Sequence, residues 1–196
     1  MLRNAYGDTI HEQIRDPLTL IMKQRLYKPL LAGCALIFML TTALADVDVP
    51  VGSDLQHDGQ QALDKKLPIL LVFTAIDCSY CELLEEEFLE PMLLGGEYDG
   101  RIIIRKIVLD NGSRLKDFSG TMRDATSLSD QYRAFVTPTL LFVDGNGVAQ
   151  AARMLGINTP ELFGGYLDDC IETAWLNIRD IDSPNRPVSC LTSTQH

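Results

Sequence analysis

Residues 69–88, ILLVFTAIDCSYCELLEEEF, read as a strand that delivers two cysteines to the first turn of a helix. Residues 69–73 are a short, unbroken apolar run, the pattern of a strand covered on both faces. From Cys81 onward, Leu83, Leu84, Phe88 and Leu89 recur at helical spacing, with Glu82, Glu85, Glu86 and Glu87 mostly on the opposite face. Pro91 is expected to kink or end this helix. A cysteine at such a junction meets free backbone N–H groups and the positive end of the helix dipole. Both favour thiolate and lower the pKa of Cys78 below the free value of about 8.5. Cys78 is therefore the expected nucleophile, and Cys81, one turn later, is placed to attack a mixed disulfide on Cys78 and release the partner. Two other readings of the pair remain open at this point, a zinc half-site and a structural bridge. Zinc asks for four ligands, and beyond residue 45 the chain has only His57 and His196 as imidazoles and no second pair of this spacing. Haem attachment is excluded because residue 82 is Glu where that motif needs His.

Working outward, residues 54–66 read as a helix capped near Ser53 or Asp54 and ended by Pro68. Gly95 and Gly96 break the chain, and residues 101–109, RIIIRKIVL, form a second strand candidate. Residues 110–126 are polar and contain glycine, so they read as a long loop or an inserted short helix. A short helix is expected over 127–135, then a strand over 140–143. Asp144, Gly145, Asn146 and Gly147 are a hairpin turn signal, with 148–154 as the returning strand. Thr159, with Pro160 at the first helical position, starts a final helix running to about Ile178. Residues 180–196 are a polar tail with two prolines and Cys190. Strands that alternate with helices and then close in a hairpin imply an α/β domain, a mixed central sheet with helices on both faces.

The chain has 196 residues and a net charge of −10, so long-range attraction to phosphate backbones is missing and nucleic acid is a poor partner. The N-terminal segment differs in kind from the rest. Lys23, Arg25 and Lys28 precede the uncharged run 29–45, which closes on Ala43, Leu44 and Ala45. A basic stretch, an apolar stretch and an A-x-A site make a secretory signal, with cleavage expected near Ala45 and Met22 as a possible true start. The alternative is an uncleaved membrane anchor, for which the run is at the short limit of a core of roughly 30 Å. Leu31 to Cys34 resembles a lipobox, but the longest apolar stretch lies on its wrong side. Taking 45 residues from 196 leaves 151. That removal takes five basic and three acidic side chains, leaving 12 against 24 and a net charge of −12. Four cysteines remain: Cys78, Cys81, Cys170 and Cys190. An even number in an exported chain reads as two pairs. A bridge between Cys170 and Cys190 would close a loop of about 20 residues. The other reading is two unpaired thiols, with Cys170 packed in the core.

The stretch 69–88 resembles the active-site strand and helix of the thioredoxin superfamily, and residues 135–147, FVTPTLLFVDGNG, resemble that family's cis-proline segment with its strand and turn. Agreement in order and approximate distance covers residues 54–178. Exported members look most similar: SoxW-like thioredoxins, TlpA-like reductases and the catalytic domains of periplasmic disulfide isomerases. The resemblance implies a thioredoxin fold over 46–179, following an N-terminal extension over 1–45 and preceding a tail over 180–196. It implies a redox-active Cys78 and Cys81, a cis Pro138 facing them, and Thr137 offering backbone hydrogen bonds to a substrate strand. Protein disulfides or thiols would be the substrates and an upstream redox donor the second partner, in the periplasm, with no metal or organic cofactor. Membrane contact would come only through the signal or anchor segment.

The departures from the family are chemical. The buried Asp six residues before the first cysteine is Val72 here. The family's Trp beside that cysteine is Asp77, and Ser79 and Tyr80 replace Gly and Pro. Lys106 falls where the family often has a lysine beside its Asp. Asp77 and Glu82 add negative charge near the developing thiolate and oppose the helix dipole, which favours reductase or isomerase chemistry over disulfide donation. Residues 110–126 replace a short connection, either shaping partner selection or forming a tolerated surface insertion. A reading from a different class is a thioredoxin-fold module that holds a soft metal such as Cu(I) on the two thiolates. The absence of a nearby His or Met in sequence argues against it.

Overall fold

β1 (Ile69–Thr74) is buried along its whole length. Side chains alternate across a strand, so Ile69, Leu71 and Phe73 enter one core and Leu70 and Val72 another, one on each face of the sheet. The computed structural model describes residues 47–179 and Cys190. The signal segment over 1–45, the lipobox at Cys34 and the tail other than Cys190 lie outside the described residues. Beside β1 runs β2 (Ile103–Val108) in parallel, with Val72 opposite Lys106. On the other side lies β5 (Thr139–Val143), antiparallel, and β6 (Met154–Leu155) completes the order β2-β1-β5-β6.

Helices cover both faces. On one side α1 (Leu55–Lys65) and α4 (Ala125–Tyr132) contribute Leu55, Ala62, Ala125 and Leu128 to the core that holds Phe73. On the other, α2 (Ser79–Leu84), a π-helical turn (Glu85–Leu89) and α3 (Glu90–Gly95) follow one another, and α5 (Pro160–Arg179) packs beside them. Leu84, Leu89, Phe163, Leu167 and Ile171 fill that core, with Phe88 edge-on to Phe163 at 4.8 Å. The mixed sheet between two helical layers is the architecture that the motif order implies.

Two features fix how α1 lies. Asp54 caps it, accepting from the His57 N–H at 2.9 Å. Arg105 on β2 then reaches across to Asp58 on α1, donating from Nε at 2.9 Å and from one terminal nitrogen at 2.6 Å. α1 also approaches the turn after β5 so closely that a Cβ on Gly59 would stand 2.3 Å from the Gly145 carbonyl oxygen. Only glycine permits this contact.

The structure corrects the reading of several segments. Residues 110–126 are neither a bare loop nor an inserted helix at their centre. They form a small antiparallel ladder of β3 (Arg114–Lys116) and β4 (Met122–Asp124), and the segment then runs into α4. Its turn is organised by Asp117, whose carboxylate accepts from the backbone N–H groups of Ser119 and Thr121 and pairs with Arg123. Burial pushes this carboxyl up, but the hydrogen bonds from Ser119, Arg123 and Thr121 outweigh it and bring its pKa down to about 2. The returning strand expected over 148–154 shrinks to β6 and a single bridge between Val143 and Ala149. α4 stops at Tyr132, three residues short of Phe135, because Arg133 turns left-handed at φ 55°. Pro91 does not end its helix. It sits in the first turn of α3, immediately after the π turn, whose bond runs from the Glu90 N–H to the Glu85 carbonyl. That wider turn displaces the carbonyl one turn back, which a proline ring would otherwise strike.

Candidate active site

The end of β1 is held from two sides before the cysteines begin. The Leu109 N–H donates to the Thr74 carbonyl at 2.9 Å, and the Ile76 N–H donates to the Asp110 carboxylate at 2.8 Å. The chain then turns sharply at Asp77, whose φ of 54° lies in the left-handed region that Asp tolerates better than most residues. This turn places Cys78 in extended conformation at the N-cap of α2, with its carbonyl accepting from Cys81 at 2.9 Å and Glu82 at 3.1 Å. Cys78 and Cys81 are joined as a disulfide, their Cα atoms 5.2 Å apart. Cys78 is half-buried, whereas Cys81 is 3% exposed. A partner molecule can therefore reach the first sulfur and not the second.

The second motif comes to the same place. The Thr137-Pro138 peptide bond is cis. The Thr137 hydroxyl donates to Cys78 Sγ at 3.5 Å, while the Pro138 carbonyl accepts from Gly156 after β6 at 2.8 Å. The segment before it is pinned by the Thr139 hydroxyl, which donates to the Val136 carbonyl at 2.6 Å. Ile76, Tyr80, Phe135 and Val136 stand exposed on the cysteine loop, helix and proline segment, Phe135 at 72%.

Asp77 and Glu82, expected from sequence to add negative charge beside Cys78, are both exposed. Water and salt therefore screen them, and each acts on the sulfur weakly. Val72 is fully buried and apolar. Lys106, its neighbour on β2, points to the helical layer and meets the Glu85 carboxylate at 2.5 Å, with both side chains less than one fifth exposed. By sequence pattern Glu85 belongs with the solvated glutamates of its helix. Its spacing of four from Cys81 is the signal that could have singled it out. Among the described residues, no group of three or more His, Cys, Asp or Glu gathers where it could hold a metal ion.

Cys170 and Cys190 are also joined, with Cα atoms 4.8 Å apart. Cys170 is fully buried on α5 and Cys190 is 8% exposed, and both lie in the core beneath the helical layer. This second bridge offers no sulfur to a partner, so the two disulfides differ in the property that governs exchange, access.

A half-buried sulfur in a disulfide with a buried one, at a strand-to-helix junction, is equipped for thiol–disulfide exchange. Among solved structures, oxidised thioredoxin O2 from Arabidopsis thaliana is 23% identical, with 61% of this chain and 91% of that one covered and a TM-score of 0.39. DsbH oxidoreductase is 18% identical, with 69% and 90% covered and a TM-score of 0.47. A thioredoxin-fold protein from Helicobacter pylori is 17% identical, with 65% and 87% covered and a TM-score of 0.47. No curated protein sequence matches. The family model described as a thioredoxin-like domain matches residues 55–171, more than half of the chain and a span that includes both the cysteine pair and the cis-proline segment. The chain is a member of the thioredoxin-like family.

Proposed function

We propose that this protein is an exported thiol–disulfide oxidoreductase that reduces or isomerises disulfides in other proteins through Cys78 and Cys81. One observation carries the reading: the accessible Cys78 sulfur, bonded to a buried Cys81, with the Thr137 hydroxyl directed at it. In the reduced protein, the Cys78 thiolate attacks a partner disulfide and Cys81 then displaces the partner. Thr137 and the backbone before Pro138 receive the partner chain beside the reacting sulfurs. The electrons return from an upstream donor, and the chemistry needs neither metal nor organic cofactor.

Reduction or isomerisation is favoured over disulfide donation by the charges about Cys78. The helix terminus and Thr137 stabilise its thiolate, while the exposed, screened carboxylates of Asp77 and Glu82 oppose them only weakly, so the preference is a small one. A thiolate held less strongly in the reduced form makes a weaker oxidant. Export to the periplasm rests on the signal pattern before Ala45 and on a second, buried disulfide, which suits an oxidising compartment. A protein anchored by an uncleaved N-terminal segment would present the same domain to the same compartment.

Insulin reduction with dithiothreitol as donor tests the activity. The wild type accelerates precipitation of the insulin chains and Cys78→Ser does not. Full activity in Cys78→Ser would end the proposal. Titrating the Cys78 thiolate by its ultraviolet absorbance tests the direction of transfer, since a pKa of about 4 belongs to a strong oxidant.

A further inference from the structure

A buried thiol cannot act as a nucleophile until something takes its proton. Cys81 is 3% exposed, so bulk water is a poor acceptor for it. Val72, on the strand beneath, offers no oxygen. The carboxylate one helical turn away is Glu85. Its N–H donates to the Cys81 carbonyl, so the backbone between the two residues keeps α-helical geometry. In that geometry their side chains share a face, with Cβ atoms roughly 5–6 Å apart. Glu85 is also turned inward, with its carboxylate on Lys106 at 2.5 Å and its side chain 17% exposed.

We propose that Glu85 is the general base for Cys81 and that Lys106 is the positioning residue that holds it there; the inference rests on the exchange reaction described above. In the resolving step, the Cys81 Sγ–H proton passes to the Glu85 carboxylate. The Cys81 thiolate attacks Cys78 Sγ, the Cys78–Cys81 bond forms, and the bond from Cys78 to the partner breaks. The partner leaves as a thiolate and is protonated from solvent. Over both steps, two electrons move from the Cys78 and Cys81 dithiol to the partner disulfide. Before the proton moves, the group holds one anion, one cation and a neutral thiol. Afterwards it holds a neutral carboxyl, the same cation and a thiolate. The net charge of the buried group does not change, so the step creates no uncompensated buried ion. Before the transfer, Lys106 pairs with the Glu85 carboxylate. The π turn beginning at Glu85 is accounted for by Pro91 and adds nothing to this argument.

The test separates the two chemical steps. Reduced protein is mixed with oxidised glutathione, quenched in acid at short times, and the glutathione adduct on Cys78 is counted by mass spectrometry. Glu85→Gln is expected to form the adduct within twofold of the wild-type rate and to resolve it at least tenfold more slowly, where general base catalysis contributes typically about 10²–10⁴-fold. In Glu85→Ala, added formate is expected to restore resolution in proportion to its concentration, a response that a purely structural role would not give. Circular dichroism establishes that each variant is folded. If folded Glu85→Gln resolves the adduct at the wild-type rate, or formate has no effect on Glu85→Ala, Glu85 is not the base. If the wild type neither accumulates the adduct nor releases reduced glutathione, it is the exchange reaction itself that fails.

Discussion

Replacing Cys190 by Ala opens the buried bridge while leaving Cys170 in its place on α5. The bridge spans a sequence separation of 20. In the chain-entropy account, a cross-link over about 20 residues removes roughly 3 kcal/mol of disorder from the unfolded chain. Cys190→Ala is therefore expected to lose about 3 kcal/mol of stability. For a folded unit of this size that corresponds to a fall of roughly 10 °C in Tm. Urea unfolding without reductant, followed by circular dichroism, measures both the loss and its origin. The unfolded variant is more open than the cross-linked wild type, so the denaturant slope should rise as the midpoint falls. Insulin reduction should be unchanged, because Cys78 and Cys81 are untouched. A loss below about 1 kcal/mol, with mass spectrometry showing Cys170 as a free thiol, would refute the view that this bridge braces the fold.

Two further outcomes are expected. Thr137→Val keeps the shape of the side chain and removes the donor to Cys78 Sγ, so the thiolate pKa should rise and insulin reduction should slow severalfold; Thr137→Ser should restore both, and an unchanged pKa would deny the hydroxyl its role. Asp117 is lowered from 3.8 to about 2 in the folded protein, so the stability it contributes is present above 3.8 and is lost as the pH falls toward about 2. Acid unfolding of Asp117→Asn should lack that component, worth about 2 kcal/mol, and an identical pH profile in the variant would contradict it.

The legible parts of this chain are those whose local pattern and tertiary environment demand the same thing. Residues 69–73 and 140–143 are apolar without interruption because both faces of those strands are covered, so composition alone reveals them. The two cysteines and Thr137 are legible because each belongs to a compact motif, and the fold brings the motifs within hydrogen-bond reach. Elements held by distant partners were not legible. β3 and β4 are three residues each and largely polar. They are stabilised by the Asp117 turn and by Lys116 reaching Asp54 on the cap of α1, 62 residues earlier in the chain. The returning strand failed for a related reason: Gly147 signals a turn, but alternation over 148–154 does not report where pairing stops. Glu85 was the costliest omission. Its neighbours in sequence are solvated glutamates, and only the register that sets Lys106 beside Val72 turns it inward.

The borders of the sheet bear on how the protein behaves at high concentration. On the β2 side, the Lys106 N–H donates to the Pro50 carbonyl and its own carbonyl accepts from Gly52, so a segment led by a proline already occupies the middle of that border. On the far side the last strand is two residues long, and the chain leaves it at once through Gly156, whose N–H is spent on Pro138. Among the described residues, neither margin offers another molecule a long row of free backbone groups, so growth by strand addition from copy to copy lacks a template. Concentrated samples should fail, when they fail, through the exposed apolar side chains near Cys78 and not through the sheet.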